Sequence, residues 1–183
     1  HIWGVSDQES YSVANLATQW FFYLDQNLPL HDNCSKSLDI FFYMTKATKK
    51  LPTTKTKTEL DESHVNSAFT FACLTKNEIY IFRKEEWFKV FIHETMHNYG
   101  IDFSEINISS VNKKLQSIFS IQTNVKIFES YCEVWARVIN VLFESYFELN
   151  YNNRRIFIPL TTRKKNINNI KKNHLISMKN DSF

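Results

Sequence analysis

The stretch from Val90 to Gly100 contains side chains whose types and spacing could do chemistry. His93, Glu94 and His97 form the pattern His-Glu-x-x-His. Residues four positions apart on a helix share one face, so the two imidazoles can bind one metal ion. Glu94 lies beside them, where it cannot reach the same ion but can accept a proton from water. The spacing therefore predicts zinc-dependent hydrolysis, with a peptide bond as the expected substrate.

The helix that carries this motif is expected over residues 84–99, and its polar and apolar side chains separate. At about 100° per residue, His93, Glu94 and His97 fall on one arc. The opposite arc is apolar and consists of Phe88, Phe91, Ile92, Met96 and Tyr99. The helix is therefore expected to bury its back in a core, while the histidines point away from that core. Gly100 follows where a left-handed cap would end the helix.

A catalytic zinc site usually takes three protein ligands, and a second helix offers the third. The pattern of residues 124–149 predicts a long helix with one polar stripe, formed by Glu129, Glu133, Arg137, Asn140 and Glu144. Such a stripe can be a solvent-facing surface with a Glu133–Arg137 pair. Beside the two histidines, however, it is better interpreted as the other half of a metal site.

The two histidines and the downstream glutamate helix together resemble the zincin metallopeptidases of the gluzincin type. In several such families the ligand glutamate begins a Glu-x-(aromatic)-Ala pattern, and Glu133-Val134-Trp135-Ala136 is similar to it. The resemblance covers residues 67–140. It implies Zn²⁺ as the cofactor, Glu133 as the third ligand, and Ala136 as a small residue that permits close helix approach. The segments HETMHNYGIDFS and ESYCEVWA also resemble uncharacterised zincin-like proteins of large DNA viruses.

Two other carboxylates stay open as the third ligand. Glu129 lies one turn before Glu133, which would then be an acid outside the ligand set. Asp102 lies one residue before Phe103, where the metzincin branch has a ligand that phenylalanine cannot replace. Asp102 could instead accept a hydrogen bond from a ligand histidine.

The remaining patterns indicate an α+β fold. A helix is expected over residues 7–25, capped by Ser6 or Asp7. Residues 38–45 resemble a strand, and a short helix is expected to begin at Ser109 or Ser110.

Two further strands are expected at residues 67–74 and 78–83, joined as a β-hairpin. We expect a single zincin-like catalytic domain over residues 1–150. In it, a small, mostly antiparallel sheet packs on the motif helix and the long glutamate-bearing helix. The strand at 78–83 is expected at the sheet edge, where an extended substrate could pair with it.

The C-terminal segment, residues 151–183, differs in charge from the rest. It has eight Lys or Arg residues against Asp181, a net charge of +7 within a total of +3. We interpret it as a basic, partly ordered segment, with a last strand possible at 154–160. A basic segment can make weak contacts with nucleic acid or an acidic surface.

The apolar runs and the cysteines indicate whether the chain spans a membrane and which cellular compartment it occupies. No apolar run reaches the roughly 18–20 residues that a membrane helix needs, so no membrane span is expected. Cys34, Cys73 and Cys132 are odd in number and widely spaced. No disulfide framework is therefore expected, and a reducing intracellular compartment is favoured. The resemblance to proteins of large DNA viruses implies viral or host cytoplasm as that compartment.

Together these observations predict a zinc metallopeptidase that hydrolyses a peptide or protein substrate. His93, His97 and Glu133 would hold the zinc, with Glu129 as the alternative third ligand, and Glu94 would be the general base. The alternative function is a catalytically idle domain of the same fold that acts through protein or nucleic-acid contacts.

Overall fold

A computed structural model describes residues 1–28, 33–50, 66–123 and 125–152, which contain four helices and a four-stranded sheet. The elements in chain order are β1 (Ile2–Trp3), α1 (Asp7–Asn27), β2 (Ser37–Thr45), β3 (Ala68–Thr70), β4 (Lys76–Arg83), α2 (Trp87–Asn98), α3 (Ser109–Phe119) and α4 (Ile127–Asn152). The predicted α+β class is confirmed. The strand predicted at 154–160 and the basic segment from residue 153 onward lie outside the described residues.

The chain divides into two compact units. Residues Ile2–Asn140 form one unit, which holds the sheet, α1 to α3 and the first part of α4. Val141–Phe183 and His1 form the other, in which the described residues are His1 and the C-terminal end of α4. Every residue of the candidate site lies in the first unit. The domain boundary expected at residue 150 stays a prediction.

The sheet is mixed, with the strand order β1-β2-β4-β3. β1 pairs with β2, and β2 with β4, in parallel, whereas β3 pairs with β4 antiparallel. The expectation of a mostly antiparallel sheet is therefore wrong. Apolar alternation predicts that a segment is a strand but not which way it runs, and a hairpin turn sets the direction of its own two strands only.

The predicted hairpin is confirmed, but its second strand does not lie at the sheet edge. β4 lies in the interior of the sheet, where Ile79 and Ile81 are fully buried, and β3 is the edge strand. The prediction that residues 78–83 form the edge is wrong, because the distant strand β2 pairs with the other side of β4. No local pattern in the sequence predicts the pairing of β2 with β4.

Helix α1 begins at the predicted cap and forms a side-chain hydrogen bond with the motif helix, α2. Ser6 Oγ accepts a hydrogen bond from Glu9 N at 3.4 Å, and Glu9 Oε2 accepts one from Ser6 N at 3.1 Å, a capping box. The buried side of the helix is formed by Val13, Ala17, Trp20 and Leu24. Trp20 Nε1 donates a 2.7 Å hydrogen bond to Thr95 Oγ1, in the last turn of α2.

Helix α2 packs its apolar side between the sheet and α1. The ring of Phe91 lies 5.4 Å from that of Phe42 in β2 and 5.4 Å from that of Phe21 in α1. Ile92 and Thr95 are fully buried on the same side. After the helix ends at Asn98, Gly100 takes the left-handed conformation, with φ +67°, as its position predicts.

The last turn of α2 is held by a disulfide between Cys34 and Cys73. A Cβ at Gly100 would lie 3.2 Å from Cys34 Sγ, and the backbone N–H of Cys73 donates to the His97 carbonyl at 3.2 Å. The number and spacing of the cysteines do not predict this bond, which joins residues 39 positions apart. The reducing compartment stays a prediction. Among the described helices, none has the length and apolar composition needed to cross a membrane.

The hydrogen bond between Trp20 and Thr95 gives a test of this packing. Thr95→Val keeps the side-chain shape but removes the acceptor of a buried indole N–H. We expect the free energy of unfolding to fall by about 1–3 kcal/mol, measured by chemical denaturation. Thr18→Val is the matched control, because Thr18 is exposed on α1, and it should change stability by less than about 0.5 kcal/mol. Equal losses in the two variants would contradict this account.

Candidate metal centre

Three possible ligand atoms from α2 and α4 form a small triangle. His93 Nε2 lies 3.1 Å from His97 Nε2, and Glu129 Oε2 lies 3.3 Å from each of these nitrogens. Ligand atoms bound at about 2.0–2.1 Å to a tetrahedral zinc ion are about 3.3–3.4 Å apart. These three residues therefore have the spacing and the donor types to hold one zinc ion.

The charges around this triangle favour a cation. Hydrogen bonding with His93 and then with His97 holds the pKa of Glu129 well below its usual range. Burial disfavours the charged form of each histidine, but hydrogen bonds outweigh it and raise both pKa values. The carboxylate of Glu129 has the largest such effect on the pKa of His93, and that of Asp102 the largest on the pKa of His97. Negative charge that stabilises a proton on an imidazole also stabilises a metal ion at the same point.

Asp102 lies behind His97 and orients its ring. Asp102 Oδ2 is 2.6 Å from His97 Nδ1, while Oδ1 accepts hydrogen bonds from Ser104 N at 3.1 Å and Ser104 Oγ at 2.8 Å. Burial would raise the pKa of Asp102, but these hydrogen bonds outweigh it and lower the pKa. An ionised carboxylate only accepts, so Nδ1 of His97 carries the hydrogen and Nε2 is left for a metal. Asp102 is thus a hydrogen-bond acceptor here and not a third ligand.

Glu133, the preferred third ligand, faces the outer nitrogen of His93 and not the triangle. Its Oε2 is 3.5 Å from His93 Nδ1. Its Oε1 accepts hydrogen bonds from Lys89 Nζ at 2.9 Å and Arg137 Nε at 2.8 Å. The two cations hold the carboxylate away from the point where the other side chains meet. Glu129, one helical turn earlier and the alternative in the sequence-based prediction, is the carboxylate that meets the two histidines. The choice of third ligand between Glu133 and Glu129 stays a prediction, and the expected pair between Glu133 and Arg137 is present.

The outer nitrogen of His93 has an incomplete environment. His93 Nδ1 is buried and forms no hydrogen bond with any described residue. The 3.5 Å separation from Glu133 Oε2 is longer than a good hydrogen bond. A small rotation of the Glu133 side chain would close it, so Glu133 can orient His93 as Asp102 orients His97.

Glu94 lies on the wall of a cavity of about 700 Å³ beside the two histidines. Edge strand β3 lines the same cavity through Ala68, Phe69 and Thr70. Burial raises the pKa of the Glu94 carboxyl, although the two histidines oppose that rise. A raised pKa brings a carboxylate closer to neutral pH, where a general base works best. Glu94 is thus suited to the role that the motif predicts for it.

Three residues beside the site are absent from the sequence-based candidates. Cys132 is fully buried, and its Sγ lies within 4.8 Å of ligand atoms of His97 and Asp102. Helical phase could have identified it, because it follows Glu129 by three positions on the same face. Ser104 follows Asp102 by two, the spacing of an Asx turn. Helical phase could also have identified Lys89, which precedes His93 by four positions on the same face and is only 8% exposed.

Comparison with known proteins gives no match to this chain: no family model, no curated protein and no solved structure is matched to it. The chemistry of the site is therefore inferred from the distances, burial and charges of its own residues.

Measuring zinc affinity shows whether Glu129 or Glu133 is the third ligand. Glu129→Ala removes a ligand, so we expect affinity to fall by more than the factor of about 10–100 that is typical of groups behind the ligands. Glu133→Ala removes the carboxylate behind His93, which also pairs with Lys89 and Arg137, and should stay within that range. Competition with a chromophoric chelator measures both, with Glu105→Ala, at an exposed position, as the control. The reverse order of effects would restore Glu133 as the ligand.

The role of Asp102 is tested by Asp102→Asn, which keeps the side-chain size but removes the charge that fixes the His97 ring. We expect zinc affinity to fall about 10- to 100-fold. Ser104→Ala should have a smaller effect, because the bond between Asp102 and His97 stays intact. Unchanged affinity in Asp102→Asn, measured by the same competition, would exclude this role.

Proposed function

We propose that the chain is a zinc-dependent metallopeptidase with a zincin-like fold. The observation that supports this most is the triangle of His93, His97 and Glu129, with Glu94 beside it on an open cavity. Two imidazoles and one carboxylate are a donor set of catalytic zinc, and three protein ligands leave a position for water.

The residues around the site divide the work of hydrolysis. Zinc, when bound, supplies a Lewis acid that polarises the scissile carbonyl and lowers the pKa of water towards about 7. Glu94 takes the proton from the attacking water and passes it to the leaving amine. Asp102 keeps the hydrogen of His97 on Nδ1, so that Nε2 is available as a donor. The raised pKa of Glu94 suits a group that must both accept and release a proton.

The edge strand offers a way to hold the substrate. β3 is the terminal strand of the sheet, and its residues line the cavity that contains Glu94. An extended peptide can add to the open side of such a strand through main-chain hydrogen bonds. We propose that this is how a peptide bond is brought to Glu94.

The decisive variant is Glu94→Gln, which keeps the side-chain shape but cannot accept a proton. We expect kcat for peptide hydrolysis to fall by about 100- to 10,000-fold, while one zinc ion per chain is retained. Cleavage of a mixed peptide library, followed by mass spectrometry, measures activity, and elemental analysis measures zinc. Glu105→Gln, on the surface, should leave both unchanged.

Two outcomes, no peptide cleavage and no bound zinc, would contradict the proposal. If the zinc-loaded wild-type protein cleaves no peptide of the library, the domain is a catalytically idle binding module. If it holds no zinc at all, the metallopeptidase proposal is overturned.

A further inference from the structure

The sheet carries a second surface that the proposed chemistry does not use. Alternate residues of a strand point to opposite faces of its sheet, and the face towards α2 holds buried side chains such as Phe42 and Ile81. The opposite face is aromatic on all four strands, and we call it the aromatic face. Its rings belong to Trp3, Phe41, Tyr43, Phe69, Phe71, Tyr80 and Phe82.

The rings of the aromatic face contact one another across the strands. Trp3 of β1 stacks on Tyr43 of β2, with ring centroids 4.9 Å apart. Phe41 of β2 stacks on Tyr80 of β4 at 4.8 Å. Phe69 of β3 continues the row, 6.3 Å from Tyr80. Each of these pairs is also a pair in the backbone register of the sheet, so strand pairing fixes the row in place.

Much of the aromatic face is open to solvent. An aromatic side chain can bury about 150–250 Å², so five side chains that are 36–49% exposed leave roughly 300–550 Å² uncovered. That is as large as the largest apolar patch of a typical monomer, about 300–600 Å². It is also a large part of the roughly 800 Å² that each partner gives to a stable interface. The five are Trp3, Tyr43, Phe69, Phe71 and Phe82.

The direction of the strands also favours a cover over this face. β1, β2 and β4 are parallel neighbours, and parallel strands are usually covered on both faces of their sheet. Here α2 packs against one face, whereas the aromatic face keeps its exposed rings. The surface therefore has the size and the composition of one that another protein surface covers.

Charged residues lie at the two ends of the aromatic face. Asp39 and Glu78 are paired in the register of β2 and β4, near the start of both strands. Within the described ranges, no lysine or arginine forms an ion pair with either carboxylate. Lys46 follows the other end of β2 and is exposed. The face is thus acidic at one end and basic at the other.

These charges determine how two copies of the face can pack. With the two β2 strands antiparallel, the carboxylates of one copy meet Lys46 of the other, and Tyr43 lies near the middle. With the two β2 strands parallel, Asp39 and Glu78 of both copies come together, and such contacts between like charges are unfavourable.

We propose that the aromatic face is a homodimer interface, in which two copies of this chain pack their sheets face to face with their β2 strands antiparallel. A twofold interface uses the same surface on both copies, so an apolar face with opposite charges at its ends is complementary to itself. Because α2 packs on the other face of the sheet, the metal centre lies outside this interface. The proposal does not depend on peptide hydrolysis.

Sedimentation velocity of the full-length chain over a concentration series tests the dimer. We expect the wild type to shift from one chain mass to twice that mass as its concentration rises. Tyr43→Ser should raise the dissociation constant of the dimer at least about 10-fold, because each interface loses the ring from both copies. Tyr11→Ser is the matched control, since Tyr11 is an exposed tyrosine on α1, and it should leave the constant unchanged.

A charge exchange tests the antiparallel arrangement. Asp39→Lys and Lys46→Asp should each weaken the dimer about 5- to 10-fold, because each brings like charges together at both ends of the interface. The double variant should return to within a few fold of the wild type. Both side chains are exposed, so these changes test the interface without depending on Tyr43. A double variant no tighter than the single ones would overturn the arrangement.

Three results of the sedimentation experiment overturn the dimer. A wild type that keeps one chain mass at every concentration leaves the face to a different partner. Dimerisation of Tyr43→Ser as tight as that of the wild type places the interface elsewhere on the chain. An equal loss of dimer in Tyr43→Ser and Tyr11→Ser shows that the loss does not come from the aromatic face.

Discussion

The site depends on the burial of one side of α2. Phe91, Ile92 and Thr95 are fully buried, and taking an apolar side chain such as that of Phe91 or Ile92 back into water costs about 1.5–3 kcal/mol. The helix therefore cannot turn about its axis without losing its contacts with the sheet and α1. With its back fixed in this way, His93 and His97 can point in one direction only, towards α4.

Two rows of side chains then face each other across α2 and α4. Lys89, His93 and His97 follow one another at four-residue spacing on α2, and Glu129 and Glu133 do so on α4. The two rows are antiparallel: Lys89, the first residue of its row, contacts Glu133, and His97, the last, contacts Glu129. A cation thus neutralises one carboxylate at one end, and the other carboxylate is left for the two imidazoles. The pairing of Lys89 with Glu133 sets the relative register of the two rows.

The sequence predicts the parts of this arrangement that depend on local periodicity. Helical phase is enough to put His93 and His97 on the polar side of α2, and the cap at Ser6 is a local signal. The choice between Glu129 and Glu133 is different, since residues four apart share one face and their phase is the same. In the structure, Glu133 pairs with Lys89 and Arg137, one of them on another helix, whereas Glu129 faces the two imidazoles. The parallel pairing of β2 with β4 and the disulfide between Cys34 and Cys73 also join residues that are far apart in the sequence, so local periodicity does not predict them.

Ala136 is fully buried one turn beyond Cys132, on the same face of α4 as the glutamates. A glutamate side chain has a fixed reach, so the separation of the helices determines how far apart the three donor atoms can be. Edges of 3.1–3.3 Å suit an ion with bonds near 2 Å, whereas calcium, with bonds of about 2.3–2.6 Å and more ligands, needs a wider cage. Under the proposed function, the spacing of these donor atoms therefore selects for an ion of zinc's radius and against calcium.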